Sequence, residues 1–269
     1  MEDRLLFIFP DSVEEALYAT VVVSQYLLSR MIVGRPHKEV LVACKHTELH
    51  EFINANWCWA KVVQGVAESD KKWATFIFEF DSKTAYRLTQ AVEKSISESF
   101  GIQLGVGLFP YPTPVLLETE KEERGRIIYA DRLPMDGLEG WETEWPWLSS
   151  FAKEAEKRGA ELLRIYGDIP FEELKKTVAS CSVLIGMRGT PTLLASAANK
   201  IVIEIVPSDI AHKSWMRKFG NTKYRMLYGP LENITSEAVW KSLDGVIGRM
   251  MMSRSGVPLP EVAECTTHQ

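Results

Sequence analysis

The sequence predicts an α/β protein made of two Rossmann-like, doubly wound domains that face each other across a cleft. Short apolar runs of strand length alternate with longer stretches of helical periodicity, and the runs are apolar throughout, as in parallel strands covered on both faces. The alternation breaks once, at residues 108–126 (LFPYPTPVLLETEKEERGR), where three prolines and a charged run suit a linker, and then resumes. The expected organisation is an amino-terminal domain over 1–107, a linker over 108–126 and a carboxyl-terminal domain over 127–269. A chain of 269 residues with 46% hydrophobic side chains has enough apolar surface for both cores.

The elements follow in order. RLLFIF (4–9) is a continuous apolar run and predicts a strand; VEEALYATVVVSQYLLSR (13–30) predicts a helix that is apolar on more than one side. KEVLVAC predicts a second strand, TELHEFINAN a helix and AKVVQGV a short strand, and WATFIFEF (73–80) is the strongest apolar run of all. DSKTAYRLTQAVEKSISESFG then reads as a helix with Asp81 or Ser82 as N-cap and Gly101 as its stop. After the linker come RIIYAD as a strand, a loop rich in Pro, Gly and Trp, and a helix from Pro146 to Arg158. AELLRIYG, SVLIGM and KIVIEIV predict three more strands, the last of them final, with helices at PFEELKKTVASC and PTLLASAAN between them. ITSEAVWKSLDGVIGRM closes the chain as a helix capped by Thr235, with Glu237 in its first turn opposing the dipole.

Composition removes several functions. A net charge of -5 and a pI near 5.7 leave no global basic field, and no block of basic residues forms a nucleic-acid patch. No apolar run reaches the roughly 18 residues of a membrane span, and MEDRLLFIF lacks the basic region and cleavage site of a secretory signal, so a soluble cytoplasmic protein is expected. Cys44, Cys58, Cys181 and Cys265 lie far apart with no CxxC pair, as free thiols in a reducing compartment do. His46 and His50 in KHTELH stand four apart at an expected helix start, but Thr47 occupies the place where the metalloprotease pattern needs glutamate, and no metal site is expected.

Function in parallel sheets gathers at strand-to-helix junctions, and three of these carry polar residues. FIFPDSVEEALYA places Asp11, Glu14 and Glu15 where strand becomes helix; acidic side chains there either oppose the helix dipole or present a base to the cleft. FDSKTAYR places Asp81, Ser82, Lys83 and Arg87 after the most apolar strand, with Lys83 and Arg87 four apart on one helix face. IGMRGTPTLLASA opens a helix with Gly189, Thr190, Pro191 and Thr192, whose backbone N–H groups, hydroxyls and positive dipole end suit a phosphate and equally suit a plain cap. The tryptophans at 141, 145 and 147 offer either sugar-stacking faces or packing for a loop.

The order of SVLIGMRGTPTLLASAANKIVIEIVPSD followed by LENITSEAVWKSL resembles the nucleotide-sugar half of glycosyltransferase family 9, the ADP-heptose:lipopolysaccharide heptosyltransferases, which have the two-domain GT-B fold. RLLFIFPDSVEEALYATVVVSQYLL is similar, without a gap, to that family's first strand, turn and helix, and Glu15 falls on its catalytic aspartate. The resemblance implies a GT-B glycosyltransferase that moves a sugar from a nucleotide-sugar donor to a hydroxyl acceptor, such as a glycan or lipid-linked sugar. It needs no metal or other cofactor. Glu15 is then the general base and Gly189 part of the donor site; by their own chemistry Arg188 suits the diphosphate and Thr190 and Thr192 a phosphate, while Lys83 and Arg87 either attract a phosphorylated acceptor or solvate the surface.

The chain also departs from the pattern. Glu14 replaces a glycine, Met187 and Arg188 stand for Asp and Ser or Thr, Thr192 replaces histidine, and GWETEWPW lacks the lysine of the family's Lys-x-Trp-Pro. One βα unit is missing after AELLRIYG, so the carboxyl half is a shortened, divergent version. These losses support a rival expectation, a catalytically inactive GT-B-like binding or assembly protein. An epimerase on the same fold lacks the acidic and histidine residues it would need at the cleft.

Overall fold

The structure is a computed structural model, and it describes residues 4–34, 39–56, 60–85, 96–104, 126–133, 144–207, 221 and 223–254. Two parallel sheets organise them. The first has the order β3-β2-β1-β4, with β1 at Arg4–Ile8, β2 at Glu39–Ala43, β3 at Ala60–Val63 and β4 at Phe76–Glu79. The second has the order β6-β5-β7-β8-β9, with β5 at Arg126–Ala130, β6 at Glu161–Ile165, β7 at Val183–Met187, β8 at Ile201–Pro207 and β9 at Tyr224–Gly229. Every strand pair is parallel.

The apolar runs become strands because alternate residues can each be buried on opposite faces. Leu5, Phe7 and Phe9 enter the main core, while Leu6 joins Leu41 and Ala43 in a small cluster on the other face. Helix α1, Val13–Ile32, supplies Ala16, Leu17, Tyr18, Val21, Val22 and Val23 to that main core. It lies against the first sheet, the Ile96–Gln103 helix and the Thr190–Ala197 helix of the second half, which explains why its sequence is apolar on several sides. The main core continues through Leu193, Leu194 and Ala195 to Leu184 and Val202. A second cluster on the far side of the second sheet holds Trp145, Phe151 and Trp240.

Several expectations need correction. KIVIEIV is not the last strand: YRMLYG forms β9 beside it, pairing Glu204 with Met226 and Ile205 with Leu227. Its tyrosines and arginine masked the apolar signal, and every residue of β9 except Tyr228 is only part-buried. WATFIFEF, expected to be covered on both faces, yields a strand of four residues whose Phe76 and Ile77 are 56% and 48% exposed, at the sheet edge formed by the described residues. A short helix at Glu68–Trp73 precedes it and takes in Trp73, expected in the strand; it was unforeseen because its other residues are polar and none is buried. The 96–103 helix runs through Gly101 rather than stopping there. His46 precedes a 3₁₀ turn at Thr47–Leu49 instead of starting the helix, and its ring binds the Asp11 carbonyl oxygen at 2.6 Å. The proposed linker lies outside the described residues except for Arg126, the first residue of β5.

In each sheet the connection reverses direction once. The chain leaves β1 toward β2 on one side and later places β4 on the other, and it likewise leaves β5 toward β6 on one side and β7 on the other. Ligand crevices open beyond the carboxyl ends of such strand pairs. At the second reversal Gly186 is required by close approach: a Cβ there would lie 2.4 Å from the Ala130 carbonyl oxygen.

Gly186→Ala should therefore lower stability by about 3 kcal/mol, an overpacking effect against backbone that cannot yield. Urea unfolding measures it, and an unchanged midpoint would contradict the contact. Cys44 is fully buried, and burial pushes its thiol up to about 11. The native protein at about pH 8 should leave Cys44 unalkylated by iodoacetamide in peptide mapping until denaturant is added.

Candidate active site at the facing strand ends

The first reversal point is bridged by Glu15 and Ser82. Ser12 caps α1, its Oγ accepting the Glu15 N–H at 3.1 Å, so neither glutamate of the first turn is needed as a cap. Both are instead buried, Glu14 at 5% and Glu15 at 9% exposure. Ser82, just beyond β4, donates its hydroxyl to Glu15 Oε2 at 2.6 Å. Asp81 holds the turn that presents Ser82: its Oδ1 accepts the Thr84 N–H at 3.2 Å, and the Gln103 amide brackets its backbone. Acidic side chains that merely oppose a helix dipole sit in water; these two have partners 67 and 174 residues away.

The partner of Glu14 is Arg188, the first residue after β7. Its Nε and Nη2 donate to Glu14 Oε1 at 3.4 and 3.2 Å, and Arg188 is 2% exposed. The two reversal points thus meet at a buried ion pair. Arg132, 5% exposed just beyond β5, is a second cation at the rim of the second sheet. Next to it, burial pushes the Asp131 carboxyl above its ordinary range, against the pull of the Arg164 guanidinium at 2.8 Å.

Gly189 starts the 190–197 helix in extended backbone, and Pro191 sits in the first turn, where its missing N–H leaves no bond unmade. Thr192 accepts the Gly189 N–H at 3.3 Å. The single proton of its hydroxyl goes to the nearest acceptor, Glu204 Oε1, at 2.5 Å. Thr190 and Thr192 are completely buried, and so is Glu204, whose Oε2 accepts the Tyr224 hydroxyl at 2.6 Å.

The structure thus gathers Glu15, Arg188, Gly189, Thr190 and Thr192 around one junction. Lys83 stands exposed beside Ser82, and Arg87 lies outside the described residues. Trp145 is packed against Tyr129 and donates its N–H to the Ile234 carbonyl, so it secures the loop; Trp147 does the same to Glu232, and Trp141 lies outside the described residues. Sequence reading missed Ser82 as a partner of Glu15, Arg132, Glu204 and Tyr224. An acidic residue inside the otherwise apolar KIVIEIV was the available signal for Glu204. Among the described residues no group of three or more His, Cys, Asp or Glu side chains is arranged to hold a metal ion.

Burial, and then the Glu204 carboxylate, push the Tyr224 phenol well above its ordinary value of 10.0, and burial does the same for Tyr129. A raised folded-state value means stability that is complete below the unfolded phenol's titration and is lost as pH rises beyond about 10. Alkaline titration followed by tyrosinate absorbance should show these two phenols ionising only together with unfolding; ionisation while the fold persists would contradict their burial.

No family model and no curated protein matches this sequence. Solved structures do match. The glycosyltransferase family 9 protein from Veillonella parvula DSM 2008 superposes with a TM-score of 0.63 at 10% identity, over 93% of this chain and 99% of its own. The E. coli heptosyltransferase WaaC with ADP gives 0.62 at 10% identity, over 90% and 99%. TibC, an iron-containing dodecameric glycosyltransferase from enterotoxigenic E. coli H10407, gives 0.62 at 12% identity, over 94% and 77%. The chain has the divergent heptosyltransferase-like GT-B fold, built on two doubly wound parallel sheets.

Proposed function

We propose that the chain is a metal-independent glycosyltransferase that moves a sugar from a nucleotide-sugar donor to a hydroxyl acceptor. The observation that carries this reading is the meeting of the two reversal points, which sets a buried carboxylate, Glu15, on one rim and Arg188 with the Gly189–Thr192 helix start on the other. Glu15 takes the proton of the acceptor hydroxyl as its oxygen attacks the anomeric carbon, and the bond from that carbon to the diphosphate oxygen breaks. The nucleoside diphosphate leaves with its charge held by Arg188 and the helix start. Ser82 orients the Glu15 carboxylate, and exposed Lys83, together with Arg87, draws in a phosphorylated acceptor such as a glycan or lipid-linked sugar. The domain division at 1–107 and 127–269 then separates an acceptor side from a donor side.

Among the described residues no helix is long and apolar enough to cross a membrane, and Cys44 and Cys181 are free thiols, which suits the cytoplasm we assign to the protein. A second reading is favoured by one observation: Glu14 holds Arg188, while Thr190 and Thr192 are completely buried. A closed junction of this kind fits a GT-B-like binding or assembly protein without catalysis.

Thermal-shift screening against ADP-, UDP-, GDP- and CDP-sugars tests the enzyme reading; stabilisation by one nucleotide class is expected, and none at high concentration would sink it. With the donor known, Glu15→Gln should keep donor binding and lower kcat about 100-fold. Unchanged turnover would remove Glu15 from the mechanism.

A further inference from the structure

Glu14 has no role in the transfer step, yet it is buried and meets Arg188 from the opposite rim. We propose that Glu14 is a gatekeeping residue: its carboxylate occupies the guanidinium edge that the donor diphosphate uses, so the donor binds by displacing Glu14 from Arg188. This rests on the donor-site reading of Arg188. One Glu14 oxygen lies 3.4 Å from Nε and 3.2 Å from Nη2, and so covers the edge of the guanidinium that an oxyanion engages through two N–H groups. A phosphate oxygen offers the same acceptor chemistry, and both cannot hold one edge at once.

Charge favours the exchange. Glu14, Glu15 and Glu204 are all buried around the junction with Arg188. A diphosphate added without moving Glu14 would put further negative charge beside these carboxylates in a poorly screened interior. Displacing Glu14 leaves Arg188 still paired and lets the freed carboxylate turn toward water as the rims part. Glu14 and Arg188 are joined across 174 residues, so the same exchange removes one polar tie between the two halves, which the shared apolar core still joins. Ligand selection follows. A nucleoside or a neutral sugar has nothing to replace Glu14 with, whereas a diphosphate does, and its apparent affinity is its intrinsic affinity multiplied by the fraction of molecules in which Glu14 has left Arg188.

Calorimetric titration of ADP, inorganic pyrophosphate and adenosine into the full chain tests the gate. Glu14→Gln keeps the shape and removes the charge; it should bind ADP and pyrophosphate at least about tenfold more tightly than the wild type and adenosine equally. Arg188→Gln should abolish pyrophosphate binding in either background. Glu14→Asp, one methylene shorter and still charged, should fall between wild type and Glu14→Gln, and it provides the ordering if the glutamine variant does not fold. Arg188-dependent binding of ADP that Glu14→Gln and Glu14→Asp leave unchanged or weaken would overturn the gate and spare the donor-site reading. Pyrophosphate and ADP that bind no variant, or bind independently of Arg188, would overturn that reading and the gate with it. An equal gain for adenosine would mark a general loosening of the structure and would also reject the gate.

Discussion

One buried ion pair, Glu14 with Arg188, sets the relation between the two halves of this molecule. Two charged groups removed from water each need a partner, and here they partner each other from different sheets. The pair therefore ties the carboxyl end of β1 to that of β7. Around it the apolar core passes without interruption from the first sheet through α1 and the 190–197 helix into the second. The polar junction is thus embedded in apolar packing that keeps water away and strengthens every charge interaction within it.

The backbone makes that placement possible. β5 and β7 approach so closely that only a glycine fits at 186, two residues before Arg188. On the other side, Ser12 takes over the capping task and releases Glu14 and Glu15 from the helix end. Asp81, fixed by Thr84 and Gln103, likewise leaves the Ser82 hydroxyl to reach Glu15. Small neutral or exposed groups do the structural work, which leaves Glu14 to face Arg188 and Glu15 to accept from Ser82.

Much of the fold was legible in the sequence, since strands buried on both faces announce themselves as continuous apolar runs and Thr235 and Pro191 mark helix starts by known chemistry. β9 was not, because Arg225 and two tyrosines dilute its apolar character and much of its stabilisation comes from pairing with β8. The exposure of Phe76 and Ile77 was likewise invisible, because an edge position is a property of the sheet and not of the run. At the site, the strand-to-helix junctions drew attention to Glu14, Glu15 and the 189–192 helix start, and the family resemblance singled out Glu15 among them. Neither could say that Glu14 and Arg188 would meet, because nothing local links positions 174 residues apart.

The network around Glu204 has a consequence in time. Its carboxylate, wholly enclosed, receives one hydroxyl from Thr192 nearby and another from Tyr224, on the strand completed last among those described. Because side chains alternate across a strand, a slip of one residue between β8 and β9 would turn the Tyr224 ring to the opposite face and strip the carboxylate of that hydroxyl. During synthesis, the chain emerging from the ribosome delivers both rims before it delivers this tyrosine. The interior of the second sheet thus matures only when its final strand has docked in register.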